Sequence, residues 1–83
     1  MRSIFMGVKR IQEKELDYYL LADELENTGE NYGVQVCYAN GETDCVRGIT
    51  FSQSQIMRLL VTLMEQTVTP VTLRDVVEDW ILQ

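Results

Sequence analysis

The sequence predicts an α+β fold, an antiparallel sheet of three or four strands followed by two C-terminal helices packed on one of its faces. Three observations carry this expectation. Residues 32–38 alternate apolar with small or polar side chains ahead of an Asn40-Gly41 turn signal. Ser52 and Gln55 form a capping box in front of an apolar run. Leu73, Val76, Val77, Trp80 and Ile81 keep the i, i+3, i+4, i+7, i+8 spacing of an amphipathic helix. The chain has 83 residues, which suits a single domain over 1–83, and it shows no internal repeat, low-complexity tract or linker.

At the N-terminus, Ile4, Met6 and Val8 alternate before Lys9-Arg10-Ile11, so residues 3–12 can add an edge strand. Two readings compete from Glu13 to Thr28. Glu, Lys, Leu and Ala favour helix, whereas Tyr18-Tyr19-Leu20-Leu21 suits a strand. A hairpin alone is marginal and needs another strand beside it, so a strand over about 16–25 is the reading adopted.

Residues 31–50 read as a hairpin. A two-residue loop at Asn40-Gly41 pairs Tyr38 with Thr43, Val36 with Cys45, Val34 with Arg47 and Tyr32 with Ile49. Tyr32, Val34, Val36, Tyr38, Cys45 and Ile49 then share one face with a misfit, Arg47, while Gln35, Cys37, Glu42 and Asp44 take the other. In this register Cys37 and Cys45 point to opposite faces and stay free thiols. A three-residue loop with a bulge at Gly41 would set them opposite one another and turn Val46 inward.

The first helix should run from Gln53 to about Gln66, with Phe51 and Ile56 as a hydrophobic staple. A short connection near 67–72 favours a helical hairpin. Thr72 with Asp75 gives a second capping box, Val71 with Val76 its staple, and Arg74 with Glu78 an i, i+4 pair, for a helix from about Leu73 to Leu82.

Composition removes several kinds of function. Without histidine there is no imidazole base, no Ser-His or Cys-His pair and no Cys/His zinc site. A net charge of -6 argues against direct nucleic-acid binding, which needs clustered Lys and Arg. No targeting signal or membrane-spanning run is evident, and the expected compartment is the cytoplasm, where cysteines act as small buried hydrophobes. Charge is uneven along the chain. Residues 1–14 carry +3, residues 15–46 carry -8 with no base at all, and residues 47–83 carry -1.

Tyr18-Tyr19-Leu20-Leu21, Tyr32-Gly33-Val34, Arg47-Gly48-Ile49-Thr50 and above all Val68-Thr69-Pro70-Val71-Thr72-Leu73-Arg74-Asp75-Val76-Val77-Glu78-Asp79-Trp80 resemble an uncharacterised family of small bacterial proteins, known only as a domain of unknown function. The resemblance covers most of the chain after residue 15. It implies a bacterial or phage source and transfers no activity, cofactor or catalytic residue.

Candidate chemistry is sparse. Asp75, Glu78 and Asp79 share a helical face, but no glycine turn or second element completes a cation site, and a solvated face is the simpler reading. Cys37 and Cys45 sit among acids, which raise a thiol pKa. The glycines lack phosphate-loop spacing, and Met57 and Met64 fit core positions. Neither an enzyme nor a cofactor is expected. What remains is recognition by the surface, binding a protein partner or a second copy. The expected contact surface joins sheet tyrosines to the acidic segment: Tyr18, Tyr19, Glu24, Glu26, Tyr38, Glu42 and Asp44. Trp80 and Ile81 are a second candidate. One alternative is a phage-type inhibitor whose acidic face imitates nucleic-acid phosphates and blocks a basic groove in a host protein. Another is an enzyme or a carboxylate metal-binding protein.

Overall fold

Four strands lie in sequence order in one antiparallel sheet, β1 (Arg2–Ile11), β2 (Lys14–Leu25), β3 (Gly29–Tyr38) and β4 (Thr43–Thr50), followed by α1 (Gln53–Glu65) and α2 (Leu73–Ile81). This arrangement comes from a computed structural model that describes residues 1–26, 29–39 and 41–83. Thr28 and the Asn40 of the expected turn lie outside the described residues. The fold is the expected α+β architecture with four strands. The expected N-terminal edge strand forms over Arg2–Ile11, and the contested 13–28 stretch is a strand over Lys14–Leu25.

Alternation decides which side of β2 meets the helices. Leu16, Tyr18 and Leu20 face them, as do Val34 and Val36 of β3, and all five are buried. Glu15, Asp17 and Asp23 occupy the opposite parity. Above this inner face α1 contributes Ile56, Leu59, Leu60 and Leu63, and α2 contributes Leu73 and Val77. The two helices cover one face of the sheet and leave the other without a helical layer.

The β3–β4 register differs from the expectation by one residue. Val34 pairs with Val46, Val36 with Asp44, Gln35 with Cys45 and Cys37 with Thr43, and the Tyr38 N–H donates to the Glu42 carbonyl at 2.9 Å. A shift of one residue turns the β4 side chains from Thr43 to Arg47 over, while Ile49, beyond the bulge, still packs on the core as expected. Val46 now packs on the core, while Arg47 faces out and binds Asp23, which removes the misfit of the two-residue loop. Long-range packing therefore overrides the local turn signal. Cys37 and Cys45 do not point to opposite faces; both lie on the outer face as diagonal neighbours, and both are free. Beyond Val46, three β4 residues pass Gly33 alone. A Cβ on Gly33 would lie 2.3 Å from the Val46 carbonyl oxygen, so only glycine permits this crossing, and Gly48 within the bulge takes φ +67°.

A second bulge, between Phe5 and Gly7, changes the parity of β1. Ile4, Met6 and Val8 therefore do not share a face: Met6 packs on the core, and Val8 joins Phe5 on the outer side. Gly7 lies beneath α1, where an added Cβ would sit 2.9 Å from the Met64 sulfur.

Helix ends follow the expectation in part. Ser52 caps α1, its hydroxyl accepting from the Gln55 N–H at 3.2 Å. The Ser52 N–H donates to the Thr50 hydroxyl rather than to Gln55, and Phe51 stays 62% exposed, so the staple and the reciprocal half of the box do not form. The C-terminal end of α1 is a Schellman turn, with Val68 N–H donating to Leu63 O and Thr67 N–H to Met64 O around Thr67 at φ 52°. Thr72 makes no side-chain cap to α2; its hydroxyl donates back to the Thr69 carbonyl. Val71, the other end of the expected second staple, is exposed.

Candidate interaction surface

The expected contact residues do not converge. Tyr18 is wholly buried, and its hydroxyl donates to the Val68 carbonyl at 2.9 Å, tying β2 to the turn between the helices. Burial pushes its pKa up to about 12, with Tyr38 a smaller cause. It belongs to the core and offers nothing to a partner. The β2 alternation was the signal that separates it from Tyr19, since Glu15, Asp17 and Asp23 mark the odd positions as outward. Tyr38 lies on the inner side at the hairpin end, packed on the core with the Lys14 ammonium 5.3 Å from its ring centre. Asp44 also faces the helices and is held by α2: Arg74 donates to both carboxylate oxygens at 3.0 and 3.1 Å and to the Cys45 carbonyl at 3.2 Å. This clamp replaces the expected Arg74–Glu78 pair and keeps the Asp44 carboxyl below its ordinary pKa. Glu24 and Glu26 are exposed at the end of β2, and Glu42 at the start of β4.

The charge asymmetry of the sequence is partly neutralised by ion pairs in the fold. Arg2 pairs with Glu30, Arg10 with Glu15, Arg47 with Asp23 and Arg74 with Asp44. In each pair the acid comes from the 15–46 segment and the arginine from a flanking one. Half of that segment's eight acids are thus paired, and the rest (Asp17, Glu24, Glu26, Glu42) sit on different parts of the surface.

The outer face of the sheet carries what the sequence reading missed. Phe5 and Tyr19 sit opposite one another on β1 and β2 with ring centres 5.6 Å apart in an edge-to-face arrangement. Phe5 is 55% exposed and Val8 49%. Across the sheet the same level continues through Gln35 to Cys45, and the next through Asp17 and Cys37 to Thr43. Ion pairs border this stripe, Arg10–Glu15 at one end and Arg47–Asp23 at the other, the latter bidentate with bonds of 2.9 and 3.1 Å. Burial first, and then the Asp17 charge, raise the pKa of the Cys37 thiol, which keeps it protonated and weakly nucleophilic near neutral pH.

A shallow groove of about 690 Å³ runs between α1 and α2, lined by Met57, Val61, Trp80 and Arg58 among others. Trp80 packs partly on the core, and Ile81 is exposed. Among the described residues no three acidic or sulfur side chains form a group able to hold a metal ion, the Asp75, Glu78 and Asp79 trio included. Among the described residues no helix is long and apolar enough to cross a membrane.

The sequence model of DUF6514, described as a family of unknown function, matches residues 5–83. No curated protein and no solved structure matches the chain.

Proposed function

We propose, starting from the fact that the chain belongs to DUF6514, a family of unknown function, that it is a non-catalytic interaction module of the bacterial cytoplasm whose outer sheet face docks a protein. The observation that supports this reading is the stripe of exposed Phe5 and Val8 beside half-buried Tyr19 on a sheet face that no helix covers. Aromatic side chains on a flat surface bounded by ion pairs match the make-up of docking surfaces, an apolar centre within a polar rim. Charge mimicry of nucleic acid receives less support, because half of the acids on which it would draw are paired within the molecule.

Cys37 and Cys45 lie on the same face and report on its occupancy. Maleimide labelling in extract of the source cell should be slower than labelling of the purified, dilute chain. Phe5→Glu should restore the fast rate in extract. Equal rates in extract and in dilute buffer would refute the docking role of this face.

A further inference from the structure

We infer that the protein seated on the outer face is a second copy of this chain, the two sheets stacking face to face about a two-fold axis. This inference rests on the docking role proposed above and names its occupant.

Charge is the first argument. The outward-facing charged residues are Arg10, Glu15, Asp17, Asp23 and Arg47, two cations against three anions, and four of the five are already joined in pairs. The face therefore carries a net charge of only -1 in a chain of -6. A nearly neutral face suits its own copy. The exposed side of α2, with Asp75, Glu78 and Asp79 against Arg74, would meet a copy of itself against stronger repulsion. A strongly basic partner would gain little from a face whose carboxylates are mostly engaged, so charge favours the second copy over a basic protein.

Shape is the second argument. Four strands of 8 to 12 residues, at about 3.4 Å per residue and about 4.8 Å between strands, give a sheet face of roughly 35 × 19 Å. That is of the same order as the roughly 800 Å² per partner of a standard interface. A two-fold contact needs a self-complementary patch, and stacked sheets supply one when their strands cross at about 30° with the sheets about 10 Å apart. Phe5, Val8, Tyr19, Cys37 and Cys45 would form the apolar layer between the two sheets. Helices would lie on both outer sides, which leaves neither sheet with an open face.

Sedimentation velocity of the purified chain over roughly 1 µM to 1 mM, the range where weak pairs form, tests the inference. The chain should move from 9.6 kDa to twice that mass as concentration rises. Cys37 and Cys45 should react with maleimide about tenfold more slowly once nine-tenths of the chain is paired. Phe5→Glu and Val8→Glu should each hold the protein monomeric. Val61→Glu, on the exposed side of α1, should leave pairing intact and shows that an added charge does not by itself prevent it. A monomer at every concentration overturns the second copy as occupant, while the labelling in extract still reports separately on the face. A dimer whose thiols react like the monomer's, and which both sheet variants leave intact, also overturns the second copy as occupant, and the labelling in extract then decides the docking role of the face.

Discussion

Tyr18 shows how one side chain joins the two layers. Its hydroxyl is the buried donor that satisfies the Val68 carbonyl, at the turn where α1 gives way to the connection. Tyr18→Phe keeps the ring and removes the donor, and should cost about 1–2 kcal/mol in urea unfolding at neutral pH. The pH dependence has a definite sign. The folded pKa is raised from 10.0 to about 12, so the neutral phenol contributes its full stability below pH 10. That contribution is lost as pH rises from 10 towards 12, because the unfolded chain releases the proton first. Wild type should therefore lose more stability than Tyr18→Phe between pH 9.5 and 11.5, as the difference of two denaturation midpoints. Equal losses would place the alkaline sensitivity elsewhere. Asp17 belongs to the same scale. It makes no ion pair among the described residues and would be covered by a stacked copy, so Asp17→Asn should tighten pairing in the sedimentation series.

At the scale of elements, two backbone positions carry opposite expectations. Gly33 lies where β4 crosses at a distance that admits no Cβ, so Gly33→Ala must displace backbone and should cost roughly 2–3 kcal/mol. Thr67 holds a left-handed conformation with a β-branched side chain at the end of α1. Thr67→Gly relieves it and should raise stability by about 1 kcal/mol, measured by thermal unfolding. The helices and their spacing were legible in the sequence because capping and 3.6-residue periodicity are local properties. The β4 register was not. Asn40-Gly41 is a local signal, whereas the observed pairing is chosen by burying Val46 and by giving Arg47 the carboxylate of Asp23, 24 residues away in sequence. β1 was legible as a strand but not in its facing, because the bulge after Phe5 adds a residue that strict alternation cannot foresee. The proposed interaction surface was hidden for the same reason, since Phe5 and Val8 depend on that bulge to share the outer side.

For the whole molecule, an acidic middle segment and arginines from either side of it fold into a set of ion pairs, so the charge pattern acts first within the chain. Arg47–Asp23 and Arg74–Asp44 both hold carboxyls below their ordinary value. Their stabilisation is present above the usual carboxylate pKa of 3.8 and is lost as pH falls through the lower folded values. An Arg47→Met, Arg74→Met double variant should lose less stability than wild type between pH 5 and pH 2.5, followed by circular dichroism. The outer face of the sheet is left without a helical layer, poor in net charge and bearing the exposed apolar side chains of Phe5 and Val8, and it is the proposed docking surface. The most direct measurement is a concentration series of ¹⁵N-labelled chain followed by amide chemical shifts. The expected result is a progressive change at Phe5, Val8, Tyr19, Cys37 and Cys45 with the amides of α1 and α2 unmoved. Shifts that stay constant, or that cluster around Trp80 and Arg58 instead, would contradict it.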